Sequence, residues 1–334
     1  MIGKYTKMLL ALSFAKGIGI KTIIKFAKEW GIKEPSNQYD KVIKSSKIKR
    51  ISEISETDWK KDIDLAAEEI NKAQKLNITI ISYLDKEYPI NLLVLSNAPT
   101  ILYIKGNYKI VNKDKIVAII GTRKPSKYGI RIDNLFSQTL SKDGFVIVGG
   151  LAKGCDAYAH EASIESKGKT IAILAHGLDQ PIYPKENEGL AKRILEMNGA
   201  LISTYKIGTK LSRYNLAARD EWQSGISDGI LAIETGIKGG TRIAMRHAVE
   251  QKRPLAVIDY RETNKKSYIE LPTFQGNLDA IKKEKAIPIF SKESLINFEN
   301  LMVQKRKNRL SGLNIKSNSV NHQSKFEQLN LDLK

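Results

Sequence analysis

Three glycine-bearing turns carry the residues best suited to chemistry. They are Gly121-Thr122-Arg123-Lys124-Pro125-Ser126, Gly149-Gly150-Leu151-Ala152-Lys153-Gly154, and Glu234-Thr235-Gly236-Ile237-Lys238-Gly239-Gly240-Thr241-Arg242, each following an apolar run. Glycine at a strand end lets the backbone approach a ligand closely, and the first free N–H groups of the next helix attract an anion. Arg123, Lys124, Lys153, Lys238 and Arg242 bring positive charge to the same turns. One such turn can equally serve tight strand-to-helix packing, but three together describe a phosphate-binding edge. None fits G-x-x-x-x-G-K-[ST], and the spacing of Gly149, Gly150 and Gly154 departs from G-x-G-x-x-G, so neither a P-loop nor a dinucleotide fingerprint is supported.

No catalytic constellation accompanies these turns. His160 follows Asp156 by four residues, so the two share a helix face, where a hydrogen-bonded pair is the ordinary outcome. Cys155 opens that helix without a neighbouring base and reads as a small buried residue. Glu234 ends an apolar run beside Gly239-Gly240-Thr241 and is the one carboxylate placed to hold a ribose hydroxyl or act as an acid. It defines an alternative, a small-nucleotide site. A single cysteine and four scattered histidines exclude a disulfide framework and argue against a metal centre. No catalytic residue, metal or cofactor is expected.

The elements that position these turns form a regular alternation. Apolar runs at 101–104, 116–120, 145–148, 170–174, 200–203, 229–233 and 255–258 are separated by amphipathic stretches at 129–142, 156–167, 186–197 and 241–251. Near-continuous apolar runs are the signature of strands covered on both faces. The alternation predicts a doubly wound α/β domain with a mostly parallel sheet, in which ligands sit outside the carboxyl ends of the strands. Residues 1–98 read as a small helical N-terminal domain. Its glycine turn Gly17-Ile18-Gly19 between two apolar-periodic runs resembles a helix-hairpin-helix element, and 78–83 is a short β-like run. The α/β domain is expected over 99–290, and 291–334, with the basic cluster 304–309, is expected to be a flexible basic tail.

The chain has 334 residues and a formal net charge of +19. That excess has two sources open to it, a general richness in lysine or a polyanionic partner such as nucleic acid. No apolar run reaches the ~18 residues of a membrane span, and the N-terminus lacks a secretory cleavage pattern, so a cytoplasmic protein without membrane contact is expected.

The ordered motifs resemble the DNA-processing protein A (DprA/Smf) family, a branch of the Rossmann-like nucleotide-binding superfamily. Leu102-Tyr103-Ile104-Lys105-Gly106 is similar to its L-Y-x-x-G, and 117–129 to V-A-I-V-G-[ST]-R-x-x-S-x-Y-G. The run 149–160 is similar to S-G-L-A-x-G-I-D-x-x-A-H, and Gly177-Leu178-Asp179 and Tyr183-Pro184-Lys185-Glu186-Asn187 follow in the family's order. The resemblance implies an extended Rossmann-like fold. It also implies a protein that binds single-stranded DNA, dimerises, and helps load a RecA-type recombinase during natural transformation, with no known reaction or cofactor. Carried onto matching positions, it places DNA contacts at Arg123, Ser126, Gly150, Lys153 and Gly240. With the basic strand-end turns, the expected DNA- or phosphate-binding set is Gly121, Thr122, Arg123, Lys124, Ser126, Gly149, Gly150, Lys153, Gly154, Arg219, Gly239, Gly240, Thr241 and Arg242.

Two departures mark a divergent branch. Where the family has F-P-x-R-N-R, the chain has Leu216-Ala217-Ala218-Arg219-Asp220-Glu221, which keeps one arginine and replaces the second by an acid. Where the family has S-G-S-x-x-T-A, Gly239-Gly240-Thr241 leans toward the G-G-x-G-T loop of nucleotide-cleaving phosphoribohydrolases and ligand sensors. The alternative function is therefore a nucleotide sensor or phosphoribohydrolase-like enzyme, with a role in defence against foreign DNA.

Overall fold

Nine strands join one sheet in the computed structural model, which describes residues 1–31, 33–262 and 266–311. The N-terminal helices are α1 (Thr6–Phe14), α2 (Ile20–Trp30), the short α3 (Lys49–Ser52) and α4 (Glu56–Lys75). Then come β1 (Ile78–Ser82), α5 (Ile90–Leu93), β2 (Ile101–Gly106), β3 (Ile116–Ile120), α6 (Lys127–Lys142), β4 (Val146–Gly149), α7 (Cys155–Glu165), β5 (Thr170–Leu174) and α8 (Glu188–Glu196). The chain continues through β6 (Ala200–Ser203), α9 (Arg213–Ile226), β7 (Gly229–Ala232), α10 (Gly240–Glu250), β8 (Leu255–Ile258), α11 (Gln275–Glu284), β9 (Ile287–Ile289) and α12 (Lys292–Ser311).

The strand order is β1-β2-β6-β5-β4-β3-β7-β8-β9. The pairs β1–β2 and β2–β6 are antiparallel, and every other pair is parallel. This is the doubly wound, Rossmann-like α/β fold with a mostly parallel sheet. The winding reverses at β3, which has β4 on one side and β7 on the other. The connections leaving β3 and β7 run to opposite faces and open a crevice at their carboxyl ends, the usual ligand position in this architecture.

Alternation along the strands builds two core layers. On β3, Val117 and Ile119 face one layer with Phe136, Phe145 and Phe274, whereas Ile116, Ala118 and Ile120 face the other with Ala244 and Met245. Leu231 and Ile233 sit in the first layer, and Ile230 and Ala232 in the second. Both faces are covered, which explains why these strands read as unbroken apolar runs.

Three expectations change here. The β-like run at 78–83 is β1, and it pairs along its length with β2, so the sheet extends across the expected 98/99 boundary. The N-terminal helices dock beside that edge: the Glu69 carboxylate accepts from the Ile207 backbone N–H (2.8 Å), and the Lys206 ammonium lies 3.5 Å from the Phe14 ring centroid. Second, β9 and α11 extend the domain beyond β8, an addition that a three-residue strand containing Pro288 hides in the sequence. Third, residues 292–311 form a helix rather than a flexible tail. Leu295, Phe298 and Met302 of α12 enter the core, and the next inward positions are arginines. Arg306 and Arg309 reach the buried Asp228 carboxylate at 3.1 and 2.7 Å. The basic cluster is thus divided between two buried ion pairs and an exposed lysine face. Residues 312–334 of the expected tail lie outside the described residues.

Candidate functional site

The crevice between β3 and β7 is a cleft of about 350 Å³. Of the expected residues it is lined by Gly121, Thr122 and Arg123 after β3, Arg219 on α9, and Gly239, Gly240 and Thr241 at the start of α10. Lys238 and the acids Asp156 and Asp220 line it as well. A smaller pouch adjoins it, sharing Arg123 and Arg219 and adding Gly150 and Lys153. All three glycine turns therefore reach the cleft, the 149–154 turn through Ala152 alone.

Local hydrogen bonds hold the turns in place. Ser126 caps α6 by accepting from the Gly129 N–H at 2.9 Å, and the Thr122 N–H donates to the Glu234 carbonyl at 2.7 Å. The Thr241 hydroxyl donates to the Gly121 carbonyl at 2.9 Å, which ties α10 to the end of β3. Gly239, at φ +136°, precedes α10 in a conformation that L side chains rarely adopt, and its surroundings are open.

Gly150 illustrates what the glycines do. A Cβ there would lie 1.2 Å from Arg219 Nη1, so the close approach this glycine permits is to the arginine rather than to open space. Arg219 is buried, donates to the Ile173 carbonyl at 3.2 Å, and places Nε 3.3 Å from the Asp220 carboxylate. Asp156, also buried, accepts from the N–H groups of Gly150 (2.8 Å) and Ala152 (3.4 Å). Burial raises its pKa, and the Arg219 guanidinium opposes that rise. Burial pushes the Asp220 carboxyl up to about 6, again opposed by Arg219. The floor of the cleft is an arginine held between two acids.

Free positive charge lies at the rim. Arg123 is exposed, and no hydrogen bond or ion pair with a described residue engages its guanidinium. Lys238, which also lines the cleft, is exposed too. Lys153 forms a surface ion pair with Glu186, a contact weak enough in water to be exchanged for a phosphate.

Other expected residues sit elsewhere. Arg242 turns away from the cleft, donating to the Gly276 carbonyl (3.0 Å) and pairing with Asp279 (2.9 Å) and Glu284, so it anchors α11 to α10. Lys124, Ser126, Gly149 and Gly154 line neither cavity. Gly149 makes room for the His160 ring, and Gly154, at φ +79°, for the Thr122–Arg123 backbone. Glu234 is fully buried and lines neither cavity. Its carboxylate accepts from the Ser126 N–H (2.8 Å), the Ser126 hydroxyl (2.5 Å), the Tyr260 hydroxyl (2.7 Å) and the Thr273 hydroxyl (3.3 Å). The acid around which the alternative nucleotide site was drawn is an internal tie between β7 and the cap of α6.

His160 and Asp156 do not bond each other. The His160 ring meets the Thr170 hydroxyl at 2.6 Å, and burial pushes its pKa down to about 3. Cys155 is buried, and burial first, then neighbouring acids, raise its thiol pKa. Glu221, the apparent charge reversal, accepts from Asn97 at 2.6 Å and lines neither cavity. The acid the sequence reading missed in the cleft is its neighbour Asp220, and the helical offset of one residue, about 100°, decides which of the two faces inward. Among the described residues no group of His, Cys, Asp and Glu is arranged to hold a metal, and no helix is long and apolar enough to cross a membrane.

A family model described as DNA recombination-mediator protein A matches residues 79–300. The chain is 34% identical to the DNA processing protein DprA of Bacillus subtilis over 187 residues, covering 56% of this chain and 62% of that one. It is 36% identical to the protein Smf of Escherichia coli over 166 residues, covering 50% and 44%. The match thus spans less than two thirds of either relative. Among solved structures, DNA processing protein A from Helicobacter pylori, a protein with a single-stranded DNA binding mode, superposes with TM-score 0.57 at 26% identity over 68% of this chain and 96% of that one. DprA from Streptococcus pneumoniae shares the fold, with TM-score 0.62 at 24% identity over 84% and 98%.

Proposed function

The chain belongs to the DNA recombination-mediator protein A family, and on that footing we propose that it binds single-stranded DNA along the strand-end edge at β3, β4 and β7. The observation that carries this reading is the rim of the switch-point cleft. Arg123 and Lys238 line it and stand exposed beside the start of α10, which has no side-chain cap, on a chain of net charge +19. Spaced cations of this kind hold successive phosphates without reading sequence.

In this reading the protein binds and does not catalyse. It shields single strands and assists a RecA-type recombinase during DNA uptake and recombination, working as a homodimer in the cytoplasm. The nucleotide-cleaving alternative rests on Glu234, which lines neither cavity and is engaged by four hydroxyl and amide donors. The test is charge reversal in the full chain: Arg123→Glu and Lys153→Glu each weaken binding to single strands of any sequence alike. Unchanged affinity in both variants removes the edge as the binding surface.

A further inference from the structure

Two acceptors with nothing to accept from stand on the floor of the switch-point cleft. Gln223 lines the cleft at 3% exposure. Its side chain meets Asp220 Oδ1 at 2.8 Å. A carboxylate only accepts, so the amide nitrogen faces Asp220 and the amide oxygen is left over. That oxygen, Oε1, is buried and has no hydrogen-bond partner among the described residues. Asp220 lines the cleft as well. Its Oδ2 lies 3.4 Å from where a Cβ on Gly240 would stand, and it accepts no hydrogen bond from a described residue. A buried acceptor left unpaired is costly unless a ligand brings the donor.

Both residues are departures of this chain. In the family run F-P-x-R-N-R-I-I, the counterpart of residues 216–223, positions 220 and 223 are Asn and Ile. An amide has become an acid and an apolar side chain an amide, and α9 turns both toward the same cleft. Donors for two neighbouring acceptors are what the vicinal hydroxyls of a ribose supply, and a carboxylate is their usual partner in Rossmann-like sites. The wall beside them suits an anion. The start of α10 carries no side-chain cap, which leaves its first N–H groups for a ligand, and Lys238 is exposed next to it. A cleft of about 350 Å³ has room for one small molecule.

We propose that this cleft binds a free 5′-ribonucleotide. The ribose 2′- and 3′-hydroxyls donate to Asp220 Oδ2 and Gln223 Oε1, and the phosphate sits at the start of α10 beside Lys238. The nucleotide is bound and not cleaved. The inference stands on the floor of the cleft and goes beyond the single-strand reading, which stands on the rim.

The test is isothermal titration calorimetry of the full chain at pH 7.5. The probes are AMP, GMP, CMP and UMP, each against its 2′-deoxy counterpart. At least one ribonucleotide should bind roughly tenfold or more tightly than its deoxy form, the cost of leaving a charged acceptor unpaired. The double variant Asp220→Asn/Gln223→Ile, which restores the family's residues, removes most of that gap. Lys238→Glu, a change at an exposed position, weakens each pair in parallel and leaves the ratio intact. Equal affinity within every pair, or no binding by any of these nucleotides, overturns the proposal and leaves the single-strand reading untouched. An RNA strand bound more tightly than DNA of the same sequence, with no free nucleotide bound, overturns the small ligand in favour of a strand.

Discussion

Replacing Asp220 by asparagine should stabilise the protein, and the gain should depend on pH. Asp220 lies against Arg219 on the floor of the cleft, and burial raises its carboxyl from 3.8 to about 6. A carboxyl with a raised folded-state pKa takes up a proton on folding between those two values, so its ionisation lowers stability as pH rises through that window. Two pKa units correspond to about 3 kcal/mol, an upper bound on the relief from removing the charge. Removing the carboxylate leaves the buried Arg219 guanidinium without this ion-pair partner, which returns roughly 1–2 kcal/mol. The expected net gain for Asp220→Asn is therefore about 1 kcal/mol at pH 7.5, shrinking as pH falls from about 6 towards 4, the range in which folded wild-type Asp220 takes up its proton. Urea unfolding of both proteins at pH 4.5, 6 and 7.5 reads this directly. The same substitution takes a negative charge from the cleft, so single-strand affinity should rise several-fold at pH 7.5 and converge with wild type in acid. A variant less stable than wild type at pH 7.5, or a difference independent of pH, would refute the reasoning.

Other substitutions separate scaffold from surface. Asp228→Ala strips the partner from two buried guanidiniums, Arg306 and Arg309, and should cost about 3–5 kcal/mol, measured by chemical denaturation. Gly150→Ala places a Cβ on Arg219 Nη1 and should displace that arginine, lowering both melting temperature and DNA affinity. Arg242→Met should destabilise the α10–α11 contact by roughly 1–3 kcal/mol in thermal unfolding, without altering the salt dependence of DNA binding, because its partners are Asp279, Glu284 and the Gly276 carbonyl. Glu234→Gln should reduce stability rather than abolish an activity, since the side chain serves as a four-way acceptor beneath the α6 cap.

The parallel sheet was legible because strands covered on both faces leave unbroken apolar runs, as in Ile116–Ile120 and Thr170–Leu174. The glycine turns were legible for the same reason: they end those runs. What each glycine accommodates was not, because the groups concerned are distant in sequence. Gly150 yields to Arg219, 69 positions later, and Gly129 to Glu234. Arg242 reads as a phosphate ligand until Asp279 and Glu284, 37 and 42 residues on, are brought against it by α11. The helix α12 was hidden for a different reason. Its buried stripe runs Leu295, Phe298, Met302, Arg306, so half-way along, the inward positions change from apolar to cationic. A stripe that ends in arginine looks like a solvated tail unless Asp228 is known to await it. Asp220 and Glu221 show the limit at single-residue scale, since adjacent acids on one helix point to different surroundings.

The central claim is that the basic rim of the cleft holds the phosphates of a single strand. Fluorescence anisotropy with labelled single-stranded and duplex DNA across a salt series tests it most directly. The account predicts preference for the single strand, with log affinity falling linearly and steeply against log salt, and a slope shallower by about 0.7 in Arg123→Glu. Weak binding without strand preference, or a salt slope that Arg123→Glu leaves unchanged, would contradict it.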